Sequence, residues 1–293
     1  MNCEKKFDEL VTATGVYLSK NDIQNVVIGL SGGIDSTLST IILYEVLKRN
    51  PGRFKILGVS LPSSTSTHEE LTTAAEVGKV FCTRFIVDNI DNLVKEFGKI
   101  IEQYYPYDEA VNNLKARIRT TILYDIANNE GHAIVIDNSN ITERNLGLWA
   151  VNGENGDLNI ISNLWKHEIY ELAVYIYERL KGNGEIQQSE TLFKSISLEP
   201  SDGAVKDMTK ISENLNYAKI DEILEVFINK IKPYYDIIDE PVDPADPEFS
   251  LKIQAIYTLR TLNDKYGEED VQKVINMYQN SEYKRRRYPK IIR

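Results

Sequence analysis

Six residues, Ser31-Gly32-Gly33-Ile34-Asp35-Ser36, crowd two glycines, two hydroxyls and a carboxylate between an apolar run (Val26 to Leu30) and a helical pattern (Leu38 to Leu47). A glycine turn between a buried strand and a helix exposes backbone N–H groups, and the positive end of the helix dipole adds to them, so the place suits an anion. Gly32 and Gly33 allow close approach of a phosphate, and Ser31 and Ser36 add hydroxyl donors. Asp35 beside phosphate is repulsive unless a divalent cation lies between them, so Mg²⁺ enters the expectation with it. The plainer reading is an N-capped turn with no ligand, which needs one such residue and not the whole set.

The flanking elements follow an alternation that can position such a loop. A helix is predicted over Glu4 to Leu18, then strands at Val26–Leu30, Arg53–Leu61, Thr83–Ile90 and His132–Asn138. Helical spacing fills the gaps at Thr67–Phe81, Asp108–Glu130 and Trp165–Leu180. In the second of these, Val111, Leu114, Ile118, Ile122 and Ile126 form one stripe. Strands alternating with helices call for an α/β fold, a doubly wound parallel sheet with helices on both faces, whose ligands sit at the carboxyl ends of the strands. Residues 183–217 read as polar and irregular, a candidate mobile loop or lid. Two further helices are predicted within 218–231 and 268–280. No linker separates independent domains, so one body over 1–293 is expected.

Bulk composition narrows the classes. A chain of 293 residues with 42% hydrophobic and 27% charged residues can bury a full core. Its net charge of −10 argues against wrapping a nucleic-acid backbone. No apolar run long enough to span a membrane is present, and the first residues lack a signal-peptide core, so a cytoplasmic protein without membrane contact is expected. Cys3, Cys82, His68, His132 and His167 show no metal-ligand spacing and read as structural. The tail Glu282–Lys290 is a local basic exception, by default a solvated segment.

The loop resembles the ATP-binding loop of the N-type ATP pyrophosphatases, and lacks the Gly-Lys-Ser/Thr end of a Walker loop. Further stretches resemble one group among them, the ammonia-dependent NAD synthetases. Asn112–Asn128 is similar to their Asn-x-x-Ala-Arg-x-Arg helix, and Asn140–Leu172 to the segment from a metal-binding Glu to a Leu-x-Lys helix start. Asn216–Leu224 resembles their Tyr-x-x-Ile-Asp motif, and Glu282–Pro289 their Lys-Arg-x-x-Pro tail.

The resemblance implies a Rossmann-like, adenine nucleotide alpha hydrolase-like fold and a homodimer. It implies a ligase that adenylates the carboxylate of deamido-NAD with ATP and amidates it with ammonia, since glutamine-dependent relatives carry an additional amidase domain. Carried over by position, Ser31, Gly32, Gly33, Asp35, Ser36, Asn138 and Lys166 bind ATP, and Asp35 and Glu143 hold Mg²⁺. Asp35, Glu143 and Lys166 serve the chemistry, while Arg117, Glu154, Asp157, Tyr283 and Lys284 face the acceptor.

Arg117 and Arg119 lie about 200° apart on their helix, so at most one faces a site. Glu154 and Asp157 read equally as turn formers. Departures cluster on the acceptor side: Asp137-Asn138 for Gly-Thr, Ala150-Val151 for Thr-Lys, and Tyr283 for His. The alternatives are a ligase with another carboxylate acceptor, a nucleic-acid modifier of the same superfamily, and a non-catalytic nucleotide-binding module.

Overall fold

Short apolar runs become central strands here because both of their faces are covered. The computed structural model describes residues 1–101, 108–153, 155–198, 216–238 and 247–285. Its five strands, β1 (Asn25–Gly29), β2 (Lys55–Ser60), β3 (Arg84–Val87), β4 (Ala133–Asp137) and β5 (Leu158–Asn159), form one parallel sheet in the order β3-β2-β1-β4-β5. Alternation along each strand feeds two cores. Val26, Ile28, Ile56, Ile134 and Ile136 enter one cluster with Phe7, Ile41, Val77 and Leu172. Val27, Leu57, Val59 and Val135 enter the other with Leu114 and Ile118. Strand order reverses between β1 and β4, and the carboxyl ends at that switch point are where such sheets bind ligands.

Helices α1 (Cys3–Lys20), α2 (Ile34–Arg49), α3 (His68–Phe81), α4 (Asp91–Ile101) and α5 (Asp108–Glu130) alternate with the first four strands. A capping box starts α3: Thr67 accepts the Glu70 N–H while the Glu70 carboxylate accepts the Thr67 N–H. Beyond β4 come α6 (Ile141–Leu146), α7 (Lys166–Gly182), α8 (Ile186–Ser197), α9 (Tyr217–Val226), α10 (Phe249–Tyr266), α11 (Glu268–Asn280) and the short α12 (Glu282–Arg285).

The contacts group the chain into two compact units. The first comprises 1–140, 149–164 and 168–206, and the second 141–148, 165–167 and 207–293. The sheet and its two clusters belong to the first. The second has its own core, in which Leu146, Ile220, Leu224, Phe227, Leu262, Val274 and Tyr278 pack together.

The predicted loop at 183–217 needs correction in its first part, because Ile186–Ser197 is helical. Its buried face is largely polar (Ser189, Thr191 and Ser195 beside Leu192), and the Ser195 hydroxyl lies 2.8 Å from that of Thr37 on α2. The apolar Ile186 and Phe193 of this helix are exposed instead, so the apolar positions do not mark the face that packs. Residues 199–215 of that predicted lid lie outside the described residues, as do 286–293 of the basic tail. Among the described residues no helix is long and apolar enough to cross a membrane.

Candidate active site

The turn between β1 and α2 is closed by its own hydroxyls. Ser31 Oγ accepts the Gly33 N–H at 3.2 Å and lies 3.2 Å from Ser36 Oγ. The Ser36 hydroxyl donates to the Gly33 carbonyl at 3.1 Å. Gly32 has φ +88°, and a Cβ there stands 2.4 Å from the Glu70 carbonyl oxygen, so this step of the turn is open to glycine alone. The turn therefore presents the first-turn N–H groups of α2 at the carboxyl end of β1.

Asp35 is half-buried in that first turn, and its Oδ1 accepts a 2.9 Å hydrogen bond from Nδ2 of the fully buried Asn140. Asn140 sits just past β4, on the neighbouring strand of the switch point. Asn138 Nδ2 donates to the Gly29 carbonyl at 3.1 Å, while its buried Oδ1 has no hydrogen-bond partner. A buried carbonyl of this kind suits a ligand N–H donor. Asp137, which stands where the family has glycine, accepts both the N–H and the hydroxyl of Ser139, at 2.8 and 2.6 Å. That departure closes the turn after β4 by an Asx-type bond.

Glu143 and Lys166 belong to the second unit and face each other. Lys166 Nζ lies 3.5 Å from Glu143 Oε1, and Lys166 is 5% exposed. A cation at the first residue of a helix opposes the helix dipole, so an acid beside it is the expected compensation.

On the acceptor side the predicted residues separate. Exposed on α5, Arg117 donates its Nε to the Val151 carbonyl at 3.0 Å, and Arg119 donates to that of Leu61 at 2.9 Å. Asp157 uses both oxygens within its own unit: Oδ2 accepts the Val135 N–H at 2.9 Å and Oδ1 the Tyr124 hydroxyl at 3.1 Å. Burial, then the charge and hydrogen bond of Asp157, push the Tyr124 phenol up to about 12, so it stays a donor. Glu154 lies outside the described residues. In the second unit, Lys284 donates to the Gly147 carbonyl at 2.6 Å while Tyr283 is exposed. Arg285 donates to the Asn145 carbonyl and stacks 3.7 Å from the Tyr278 ring centroid.

Sequence reasoning passed over Asn140. Its signal lay in the spacing of the Asn-x-Thr-Glu stretch, Asn140 to Glu143, which the family resemblance already covered. Among the described residues no group of three or more His, Cys, Asp or Glu is arranged to hold a metal ion. Mg²⁺ bound through one or two carboxylates plus substrate phosphates needs no such cluster, and Asp35, oriented by Asn140 at an anion-binding turn, is chemically suited to it.

Residues 6–258 match the model of the NAD synthase family. The chain belongs to that family. Membership makes it a ligase of NAD synthesis that uses ATP. It is 34% identical over 181 residues to the NH(3)-dependent NAD(+) synthetase of Methanococcus aeolicus, covering 60% of this chain and 68% of that one. It is 25% identical over 285 residues to the glutamine-dependent NAD(+) synthetase of Acinetobacter baylyi, covering 96% of this chain but 46% of the relative. The NMN synthetase of Francisella tularensis has the same fold, with a TM-score of 0.70 at 18% identity and full coverage of both chains.

Proposed function

We propose that this NAD synthase family member adenylates the carboxylate of deamido-NAD with ATP and amidates it with ammonia, giving NAD, AMP and pyrophosphate. The observation that carries this reading is the carboxylate of Asp35, fixed by Asn140 in the first turn of α2 beside a glycine turn that presents N–H donors. An acid held there repels a polyphosphate unless a cation joins them, so its presence fits a metal-chelated triphosphate.

In this reading the turn and Ser36 cradle the phosphates, and the Asn138 carbonyl accepts a ligand N–H. Lys166 neutralises phosphate charge, the role that a Walker lysine plays elsewhere. Asp35 and Glu143 would hold Mg²⁺, which when bound draws charge from the departing pyrophosphate. The substrate carboxylate attacks the α-phosphorus, the bond to the bridging oxygen breaks, and pyrophosphate leaves. Ammonia then attacks the acyl carbon, AMP leaves with the bonding pair, and the ammonium proton passes to solvent. Positioning and charge stabilisation suffice for both steps, so no side-chain nucleophile is required.

Of the acceptor residues carried over by resemblance (Arg117, Glu154, Asp157, Tyr283 and Lys284), Tyr283 is exposed, while Arg117, Asp157 and Lys284 already have partners in the chain. Contact with the acceptor through Tyr283 therefore requires the least rearrangement. Ammonia as donor is supported by the two thiols of this sequence. Burial pushes the Cys82 thiol up to about 12, and burial with Glu171 raises that of Cys3, so neither is an activated nucleophile for glutamine. Both cysteines are free, which suits a cytoplasmic setting.

AMP release from ATP, Mg²⁺ and ammonium chloride is expected to rise at least about tenfold on adding deamido-NAD, with glutamine a far poorer donor. Stimulation by nicotinic acid mononucleotide, or by no nicotinate nucleotide, in place of deamido-NAD would move the assignment to another carboxylate acceptor while leaving adenylation intact. A homodimer belongs to the same reading. It is supported by Leu93, Phe97 and Ile100 on α4, which are 45%, 50% and 63% exposed. Light scattering at micromolar concentration is expected to give twice the chain mass of 33.5 kDa, and the mass of a single chain would rule the dimer out.

A further inference from the structure

The Tyr-x-x-Ile-Asp segment at the start of α9 is the matched motif to which the ATP reading gives no work. Asn216 caps that helix by accepting the Lys219 N–H, and Ile220 is buried in the second unit's core. The other two motif residues converge on the first turn of α7. The ring of Tyr217 lies 5.5 Å from Lys166 Nζ. Asp221, with no exposed surface, accepts the Thr142 hydroxyl on Oδ1 and the His167 backbone N–H at 2.9 Å on Oδ2. The same oxygen lies 2.9 Å from His167 Nδ1.

Thr142, also fully buried, completes the set. Because its hydroxyl hydrogen is committed to Asp221, a lone pair is left to accept the Lys166 N–H, which it does at 2.9 Å. A helix start ordinarily needs only a cap residue immediately before it. Here Trp165 occupies that place, and the two N–H groups end instead on side chains 24 and 54 residues away in sequence. A fully buried carboxylate is a costly way to cap a helix unless several donors meet it. What this arrangement adds is location. The backbone of Lys166 is tied to α6 and that of His167 to α9, while the Tyr217 ring and the Glu143 carboxylate flank the Lys166 ammonium.

We propose that Thr142, Asp221 and Tyr217 are positioning residues that fix Lys166 for contact with the ATP phosphates, an inference that rests on Lys166 being the phosphate-binding cation. Asp221→Asn keeps the side-chain size, but an amide cannot accept at both atoms, so either the Thr142 hydroxyl or the His167 N–H meets an NH₂ group. With deamido-NAD present as the carboxylate, pyrophosphate–ATP exchange by this variant is expected to lose roughly 10- to 100-fold in kcat/KM for ATP, the size of a lost charge-assisted hydrogen bond.

The deciding measurement is a double-variant cycle on the whole protein. If Asp221 acts through Lys166, adding Asp221→Asn to Lys166→Ala lowers exchange by less than about threefold beyond Lys166→Ala alone. Losses that multiply, or an Asp221→Asn enzyme with unchanged exchange, overturn the positioning role. Should Asp221→Asn fail to fold, Thr142→Val and Thr142→Ser take its place. Valine should show the loss and serine should restore exchange to within about threefold, while a valine variant as active as wild type overturns the proposal. Wild-type exchange in Lys166→Ala removes Lys166 from the ATP site and overturns both readings, whereas multiplying losses overturn the positioning role alone.

Discussion

Asp35→Asn is expected to lower pyrophosphate–ATP exchange at least about 100-fold while the thermal unfolding midpoint shifts by only a few degrees. The two effects separate because the side chain belongs to no apolar cluster. It is half-buried, and Asn140 Nδ2 donates to its Oδ1 at 2.9 Å. An amide oxygen can accept that same bond, so asparagine removes charge with little change of shape. The stability lost is the interaction of an acid with a helix N-terminus, about 0.3–1 kcal/mol. The activity lost is larger, because a preorganised charge aimed at a developing charge is worth roughly two to three powers of ten. The substitution also decides between two roles. If Asp35 merely capped α2, removing its charge would leave ATP binding unchanged or improved, since a carboxylate near phosphate is repulsive. If it holds a cation, exchange falls and its dependence on Mg²⁺ concentration shifts upward. An Asp35→Asn enzyme retaining exchange within about threefold would remove the metal from this turn.

The parts of this protein that are legible in the sequence are those where burial has a simple period. Strands β1, β2 and β4 are apolar runs because both faces of a parallel sheet are covered, and α1, α3, α5 and α7 carry apolar residues at helical spacing. The glycine turn is legible because its chemistry is local: the hydroxyl contacts that close it fall within six residues. Elements whose buried faces are polar or small escape such a reading. The buried face of α8 is largely serine and threonine, α10 buries only Ala255 and Leu262, and β5 has two residues. The hydrogen bonds that aim the chemistry are not readable at all. Asn140 reaches Asp35 across 105 residues, and Thr142 reaches Asp221 across 79, and no periodicity encodes a pairing at such range. Two residues also change meaning once placed. Asp137, a departure from the family pattern, closes a turn. Arg285, part of a tail read as a solvated basic segment, is committed to the Asn145 carbonyl and the Tyr278 ring.

Gly32→Ala is expected to destabilise the protein by about 2–6 kcal/mol and to reduce exchange by at least about 100-fold, whereas Gly33→Ala costs under about 1 kcal/mol. The two glycines are adjacent and chemically identical, so the contrast isolates geometry. Gly32 has φ +88°, where an L side chain is strained by about 1–3 kcal/mol. Its added methyl also stands 2.4 Å from the Glu70 carbonyl oxygen, and backbone in the first turn of a capped helix cannot yield as a flexible side chain does. Forcing such a contact apart costs about 1–3 kcal/mol more. Gly33 has φ −69°, in the ordinary region, and a Cβ there meets only Ser31 Oγ at 3.3 Å, which a small rotation relieves. The loss of exchange in Gly32→Ala follows from displacement rather than from a missing contact. Relief of the clash moves the turn away from α3, and the first-turn N–H groups of α2 move with it, when catalytic geometry tolerates only about half an ångström. Denaturant unfolding of the two variants side by side provides the check. Equal stabilities would mean that the turn is plastic, and the case for a preorganised phosphate cradle would fall with it.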